Sequence, residues 1–174
     1  MRNSNKSLVL IGMPGCGKTT AGKITASRLK LGFVDMDQYI ENMTGCTIPQ
    51  LFQKGEDYFR DRETEAAQAV SLLPPCVIST GGGIVKRREN MDILKKNGFL
   101  VFIDRSAEDI MKDLNAQGRP LLRDNPNAIY ALYRERYSLY KEYSDCIVNN
   151  TGSLKELSDE IAHLYESACK GGLI

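Results

Sequence analysis

The chain has 174 residues, enough for one domain with a substantial core, and its 23 Lys and Arg residues nearly balance 22 Asp and Glu residues. This balance argues against a nucleic-acid partner, and neither a membrane-span pattern nor a signal-peptide pattern is present. Five scattered cysteines without a CxxC pair predict reduced thiols, and therefore a cytoplasmic protein without disulfides or zinc.

The first apolar run, residues 8–11, leads directly into GMPGCGKT at 12–19, which is followed by helical spacing. A strand, a GxxxxGK[ST] loop and a helix in this order are typical of a P-loop, which binds the phosphates of a nucleoside triphosphate. Lys18 supplies a positive charge for the β- and γ-phosphates, and the Thr19 hydroxyl can ligate Mg²⁺. We expect the nucleotide to contact the loop and the first helical turn, at Gly12, Gly15, Cys16, Gly17, Lys18, Thr19 and Thr20.

Further along the chain, short apolar runs alternate with segments of helical spacing. The predicted strands are residues 8–11, 33–35, 77–80, 99–104 and 146–148. The predicted helices are residues 18–31, 56–72, 88–97, 106–114, 127–143 and 153–170. Capping-box sequences begin at Thr47 and at Ser153. The alternation predicts an α/β fold whose parallel sheet is covered by helices on both faces.

Two segments do not fit this simple alternation. The segment at about 36–64 is longer than a crossover between the second and third strands needs. The segment at about 113–127 contains glycine and prolines and has the composition of a loop. Long loops in compact domains are commonly functional. Within a single domain spanning 1–174, we therefore expect a substrate-binding insertion at about 36–64 and a lid at about 113–127.

Six elements, taken together and in order, resemble shikimate kinases over nearly the whole chain. They are the P-loop at 12–19, Asp35-Met36-Asp37, Phe59-Arg60-Asp61-Arg62-Glu63, Gly81-Gly82-Gly83, Arg119-Pro120-Leu121-Leu122, and Arg136 four residues before Tyr140. The resemblance implies a three-layer P-loop kinase fold similar to nucleoside monophosphate kinases, with a five-stranded parallel sheet in the order 2-3-1-4-5. It also implies transfer of the γ-phosphate of ATP to the 3-hydroxyl of shikimate, with Mg²⁺, as a step of aromatic amino-acid biosynthesis.

The resemblance assigns the shikimate carboxylate to Arg60 and Arg136, whose guanidinium forks suit a planar anion. It gives Asp37 the task of orienting the hydroxyl and accepting its proton, and it brings the backbone of Gly81-Gly82-Gly83 close to the substrate. Glu63 is one helical turn beyond Arg60 and can hold its rotamer, although the pair also fits an ordinary surface ion pair. Asp37 also fits a helix N-cap, and the three glycines also fit a plain turn.

Two aspartates that end apolar runs are candidates for the carboxylate ligand of Mg²⁺. The third strand ends at Ser79-Thr80 without a carboxylate, whereas Asp35 and Asp104 both follow apolar residues. We expect Mg²⁺ to lie at Thr19 and Asp35, as the resemblance implies, and Asp104 to lead into the helix that follows. Mg²⁺ keeps several of its waters, so an indirect contact with Asp35 is compatible with this assignment.

The resemblance places Arg119 of the lid against the transferring phosphate. Family members often carry another arginine seven residues earlier, near the adenine, where this chain has Lys112. Lysine does not stack or fork as arginine does, so the adenine site departs from the family pattern. We expect Lys112 and the loop 149–152 to contribute to nucleotide binding.

Two other functions remain open on the sequence. One is phosphorylation of another small metabolite, such as gluconate or a nucleoside monophosphate, by the same fold. The other is a non-catalytic regulator that binds ATP and a shikimate-like ligand. We expect a monomer, because no coiled-coil pattern or apolar surface stripe is evident.

Overall fold

A buried apolar strand, β1 (Ser7–Ile11), occupies the centre of a five-stranded parallel sheet in the order β2-β3-β1-β4-β5. The computed structural model describes residues 6–116 and 127–172. The other strands are β2 (Gly32–Asp35), β3 (Cys76–Ser79), β4 (Gly98–Asp104) and β5 (Cys146–Asn149). The predicted strand order is confirmed, and each predicted strand lies within one or two residues of the observed one.

Helices flank the sheet and complete the predicted three-layer arrangement. They are α1 (Lys18–Leu29), α2 (Met36–Thr44), α3 (Ile48–Gln53), α4 (Glu56–Ser71), α5 (Arg88–Asn97), α6 (Ala107–Ala116), α7 (Asn127–Tyr143) and α8 (Leu154–Lys170), with a 3₁₀ turn at Ile84–Lys86. Helix α1 packs against α8, and α4 packs against α5. Across the described parts of the chain, no helix is both long enough and apolar enough to cross a bilayer.

The long segment between β2 and β3 is helical rather than a loop. It holds α2, α3 and the first part of α4, and α3 begins at the predicted capping box. In that box the Gln50 amide N–H donates to Thr47 Oγ1 at 3.4 Å, and the Thr47 amide N–H donates to Gln50 Oε1 at 2.8 Å. The reciprocal bonds satisfy two backbone donors and fix where the chain turns back toward the sheet.

The expected lid lies mostly outside the described residues. Helix α6 continues to Ala116, two residues beyond the predicted end, and α7 begins at Asn127 as predicted. Residues 117–126, which include Arg119 and the rest of the RPLL motif, are not among those that the structure describes.

The C-terminal helix α8 is held at its start by the second predicted capping box. The Glu156 amide N–H donates to Ser153 Oγ at 3.2 Å, and the Ser153 amide N–H donates to Glu156 Oε2 at 2.8 Å. Helix α8 then packs along α1, the helix that follows the P-loop. The cap therefore stabilises a helix that supports the nucleotide side of the protein.

We expect Ser153→Ala to lower the free energy of unfolding by about 1 kcal/mol, because the side-chain acceptor of the cap is lost. Ser153→Thr keeps a hydroxyl and should retain most of the stability. Urea denaturation followed by circular dichroism measures both variants. An alanine variant as stable as the parent chain would show that the cap contributes nothing.

Candidate active site

All five strands end at one edge of the sheet, and a cleft of about 750 Å³ opens there. Parallel α/β sheets commonly bind ligands at this edge, because the loops that follow the strands converge on it. The cleft is lined by the P-loop, by Asp35 at the end of β2 and Asp37 in the first turn of α2, by residues 80–82 after β3, and by Asn150 after β5. The sequence motifs that are separated along the chain therefore meet in one place.

The P-loop has the backbone shape that its glycines permit. Gly12 has φ +146°, and a Cβ at this position would lie 2.6 Å from the carbonyl oxygen of Ile103. The buried Lys18 ammonium donates to the carbonyl oxygens of Gly12 and Met13, both at 2.8 Å. The charge of Lys18 is therefore held over the loop that the phosphates would occupy, at the positive end of the α1 dipole.

The other residues expected at the phosphates differ in how they face the cleft. Gly15, Gly17, Thr19 and Thr20 line it. Cys16 is buried, with its thiol 3.7 Å from Lys18 Nζ and its carbonyl oxygen accepting a 2.9 Å hydrogen bond from Asn150 Nδ2. The Cys16 side chain thus supports the loop from inside.

Thr19, Asp35 and Ser79 form a cluster of oxygen atoms beside the loop. The Thr19 hydroxyl donates to Asp35 Oδ2 at 2.8 Å, and Ser79 Oγ lies 3.2 Å from Thr19 Oγ1. The sequence analysis missed Ser79, which lies opposite Asp35 in the pairing of β2 with β3. Only the register of those two strands reveals this proximity.

Asp35, and not Asp37, is the N-cap of α2. Asp35 Oδ1 accepts hydrogen bonds from the amide N–H groups of Asp37 at 3.1 Å and Gln38 at 3.3 Å. The alternative in which Asp37 serves as a helix cap is therefore wrong. The Asp37 carboxylate instead lines the cleft, one residue inside the helix.

The Asp37 carboxylate lies in an environment that disfavours its charge. Burial raises the pKa of Asp37, and the neighbouring Asp35 charge raises it further, against the opposing effect of Lys18. A Cβ on Gly81 would lie 2.9 Å from Asp37 Oδ1, so the absence of a side chain at this position allows the close approach. A carboxylate with a raised pKa is a better proton acceptor than an exposed one.

Arg60 and Glu63 form a buried ion pair within α4. Arg60 Nη1 lies 2.7 Å from Glu63 Oε2, and their side chains are only 7% and 1% exposed. The surface-ion-pair alternative is therefore wrong. The Arg60 guanidinium also lies over the rings of Phe52 and Phe59, at 5.9 and 5.0 Å from their centroids. Burial raises the pKa of Glu63, although Arg60 acts in the opposite direction.

The glycines after β3 allow three close approaches. Added Cβ atoms would collide with Asp37 at Gly81, with Pro14 at Gly82, and with the Arg60 guanidinium at Gly83. The segment makes a turn, since the Ile84 amide N–H donates to the Gly81 carbonyl. It is more than a plain turn, because each position also accommodates a side chain of another site element.

Arg136 is buried on α7, and its Nε–H has no hydrogen-bond acceptor among the residues that the structure describes. One helical turn later, the Tyr140 hydroxyl donates to the Gly82 carbonyl oxygen at 2.5 Å and ties α7 to the glycine turn. Burial raises the pKa of Tyr140, which keeps this hydroxyl protonated as a donor. The structure thus positions Arg136 with an unused donor.

Lys86 and two glutamates connect the two arginines, a feature that the sequence analysis missed. Lys86 Nζ lies 2.6 Å from Glu56 Oε1 and 3.7 Å from Glu135 Oε1. Glu56 also contacts Arg60 at 3.3 Å, and Glu135 lies 4.0 Å from Arg136. The spacing of Glu56 and Arg60 on one helix was the only sequence signal for this series of alternating charges.

Asp104 is held away from the cleft by two tyrosines. Its carboxylate oxygens accept hydrogen bonds from the hydroxyls of Tyr133 at 3.1 Å and Tyr137 at 3.3 Å. Burial and the Asp104 charge together raise the pKa of Tyr133 to about 12. Asp104 therefore serves the packing of α7 against β4, and the structure favours Asp35 beside Thr19.

Only some of the residues that we expect near the adenine line the cleft. Asn150 and Gly152 line the cleft, in the loop that we expect to reach the base. Lys112 does not line it; its side chain is 75% exposed and pairs with Asp109 at 3.0 Å. Arg119, expected at the transferring phosphate, lies outside the described residues.

This fold and cleft define a P-loop kinase with a small acceptor site. The P-loop at the end of β1 has the form of a phosphate-binding loop, and it lines the same cleft as Gly81 and Gly82 of the glycine turn. The buried Arg60 lies behind that turn, where its guanidinium contacts Gly83.

Comparison with known proteins identifies the family. The family model for shikimate kinase matches residues 14–166, and the chain belongs to the shikimate kinase family. A shikimate kinase of Clostridium beijerinckii is 48% identical over 88% of this chain and 91% of its own length. The chain is thus an ATP-dependent kinase by family.

Solved structures agree with this assignment. A shikimate kinase from Acinetobacter baumannii in complex with shikimate has a TM-score of 0.84 and 32% identity, covering 94% of this chain and 95% of its own. A gluconokinase from Sinorhizobium meliloti has a TM-score of 0.67 and 15% identity over 98% and 97% of the two chains. The latter likeness concerns the fold alone.

We expect Asp37→Asn to raise the free energy of unfolding at pH 7, because it removes a carboxylate whose charged form is disfavoured by burial. The folded-state pKa of Asp37 lies above its unfolded value. Its charge therefore begins to destabilise the folded state as the pH rises from the unfolded pKa toward the folded pKa. The gain should shrink as the pH falls through the unfolded pKa and vanish at a pH of about 2.5 or below, where the carboxyl is protonated in both states.

Urea unfolding at the two pH values measures this difference. Asp57→Asn, on the exposed first turn of α4, is the matched control and should leave the stability at pH 7 nearly unchanged. Equal stability of Asp37→Asn and the parent chain at pH 7 would contradict an energetic cost of the buried charge.

Proposed function

We propose that this chain transfers the γ-phosphate of ATP to the 3-hydroxyl of shikimate, giving shikimate 3-phosphate and ADP. The observation that carries the proposal is that Lys18 and Asp37 line one cleft, while the buried Arg60–Glu63 pair lies directly behind the glycine turn that borders it. A Cβ on Gly81 would lie 2.9 Å from Asp37 Oδ1 and 3.4 Å from Glu63 Oε1, so the turn separates the two carboxylates by a short distance. A phosphoryl acceptor needs its hydroxyl beside the phosphate, and a carboxylic acid acceptor needs a guanidinium for its anionic end.

The nucleotide binds through the P-loop in this proposal. The N–H groups of the loop and of the start of α1 face the β- and γ-phosphates, and Lys18 moves from the loop carbonyls to the phosphates. Arg119, by its position in the lid motif, adds a second charge at the transferring group. Lys112 and the loop 149–152 are assigned to the nucleoside end on the sequence pattern alone.

Mg²⁺ fits the oxygen cluster of Thr19, Asp35 and Ser79. Hydroxyl and carboxylate oxygens are ligands that this ion prefers, and Thr19 Oγ1 lies within hydrogen-bond distance of both Asp35 Oδ2 and Ser79 Oγ. Thr19 would hold the ion directly and Asp35 directly or through water. When bound, the ion neutralises charge on the phosphates.

The acceptor is held by its carboxylate and oriented by its hydroxyls. Arg60 is fixed by Glu63 and two phenylalanine rings, so its fork is already in place before the ligand arrives. Arg136 has a buried Nε–H without an acceptor in the described part of the chain, which the carboxylate can satisfy. The N–H groups of Gly81-Gly82-Gly83 border the ring of the substrate.

Asp37 acts on the hydroxyl that attacks phosphorus. The hydroxyl oxygen forms the new P–O bond, the bond to the leaving ADP oxygen breaks, and the hydroxyl proton passes to the Asp37 carboxylate. In a loose transition state little proton removal is needed before the leaving bond breaks, so a carboxylate is a sufficient base. The raised pKa of Asp37 improves its capacity to accept that proton.

The proposal includes a single domain across 1–174, with the insertion at 36–64 carrying Asp37 and Arg60 and the lid at 113–127 closing over the ligands. It also includes a monomer that works in the cytoplasm without a nucleic-acid or membrane partner. The near-neutral charge balance and the scattered, unpaired cysteines support these assignments.

The direct test is ADP release by the purified chain with Mg²⁺-ATP and one acceptor at a time. We expect release with shikimate and none above background with gluconate, AMP or no acceptor. Release with gluconate or AMP would support another small-metabolite kinase. ATP binding without release in any mixture would support a non-catalytic regulator.

We expect Arg136→Ala to raise the KM for shikimate by roughly 10- to 100-fold, because a charge-assisted contact with the carboxylate is lost. The KM for ATP should stay unchanged. The control is Arg88→Ala, whose parent side chain is 82% exposed at the start of α5 and should affect neither constant. A selective rise in the KM for ATP would overturn the assignment of Arg136 to the carboxylate.

A further inference from the structure

The strand order divides the cleft into two ends. The loops after β2 and β3 lie on one side of β1 and carry Asp37 and the glycine turn, which we assign to the acceptor. The loops after β4 and β5 lie on the other side and carry Arg105 and Asn150. Because the P-loop follows β1 between them, the nucleoside part of ATP extends toward the β4–β5 side.

Arg105 is the residue after β4, and its side chain lines that side of the cleft while remaining only 19% exposed. Nη1 donates to the carbonyl oxygen of Gly15 in the P-loop at 3.3 Å, and Nη2 lies 2.7 Å from Asp113 Oδ2 on α6. Its Nε–H is buried and has no acceptor within the described residues. Hydrogen bonds to a guanidinium lie in its plane, so the two contacts fix the plane and leave its faces for stacking.

We propose that Arg105 binds the nucleoside half of ATP, through its planar face and its free Nε–H. The proposal deepens the function proposed above and rests on ATP binding by this chain. Arginine interacts favourably with aromatic faces, purines included. A buried donor without an acceptor is costly, so a nucleotide atom that accepts from Nε is stabilised at this position.

The other cations near the cleft do not occupy this end. Of the described residues that line the cleft, only Lys18 and Arg105 carry a positive charge, and Lys18 lies over the phosphate loop. Lys112 points to solvent and pairs with Asp109. Arg105 therefore supplies the planar cation that a lysine at position 112 does not.

A purely structural function for Arg105 would be neutralisation of Asp113. Asp113 also lines the cleft, and its charge would repel a nucleotide if it were unpaired. Arg105→Lys separates the two possibilities, because lysine keeps the positive charge beside Asp113 but has neither a planar face nor an Nε–H.

The experiment measures binding of ATP, ADP and inorganic tripolyphosphate by calorimetry, without acceptor, to the full chain and its variants. We expect Arg105→Lys to weaken ATP and ADP binding by about 3- to 30-fold and to leave tripolyphosphate binding and the KM for shikimate unchanged. The control, Arg88→Lys, is the same exchange at an exposed position on α5 and should change none of these. Thermal unfolding confirms that each variant is folded.

Several outcomes would overturn the proposal. They are unchanged ATP affinity in Arg105→Lys, equal weakening of ATP and tripolyphosphate, or a loss of ATP affinity in Lys112→Met with none in Arg105→Lys. The second outcome would make Arg105 a phosphate ligand. If the parent chain binds no ATP, both this proposal and the proposed function fail, whereas ATP binding without phosphorylation of shikimate contradicts the function alone.

Discussion

The parallel pairing of β1 with both β3 and β4 is the constraint on which the site depends. Buried backbone groups must be hydrogen-bonded, and β1 is paired with β4 over Ser7–Ile11 and with β3 over residues 8–10. Because every strand runs in the same direction, the segments that follow the strands meet at one edge. A shift of β2 by one residue would move Asp35 away from Ser79 and Thr19, and the oxygen cluster would be lost.

The acceptor side brings together several charges that would be costly to bury alone. The negative charge of Glu63 is neutralised by its ion pair with Arg60. The partly exposed Glu56 forms a second ion pair with the same guanidinium. Lys86 then pairs with Glu56 and with Glu135, which lies beside Arg136. The series of charges alternates in sign, so Glu63 and Arg60 are both paired, while the Arg136 Nε–H has no acceptor among the residues that the structure describes. That unpaired donor is the basis of the proposed contact with the substrate carboxylate.

The sequence was sufficient for the sheet order, the P-loop and both capping boxes, because each has a local pattern or a family motif. It left open whether Arg60 and Glu63 pair at the surface, which only their burial in the structure decides. The family pattern gave Asp35 and Asp37 different tasks, but the sequence left open whether Asp37 caps a helix. The backbone hydrogen bonds to Asp35 Oδ1 in the structure show that Asp35 is the cap. The contacts of Ser79, Lys86 and Arg105 could not be predicted for another reason. Their partners are distant in sequence, and strand register or helix packing alone brings them together.

The two sides of the cleft are prepared for their ligands in different ways. Lys18 is held by two neutral carbonyl oxygens, and phosphate oxygens offer it stronger charge-assisted bonds in exchange. Arg60 is held by the buried Glu63 and two aromatic rings, and its Nε and Nη2 groups also donate to Glu56 Oε1 at 3.4 and 3.3 Å. In the proposed reaction the substrate carboxylate competes with the partly exposed Glu56 for these donors. Both sides would therefore exchange internal hydrogen bonds for bonds to a ligand, but only the Arg60–Glu63 pair stays in place throughout. Lys86 already pairs with Glu56, so the release of Glu56 from Arg60 does not leave that carboxylate without a cation. The guanidinium would thus keep its orientation while its outer donors pass to the substrate, as orientation of a small substrate requires.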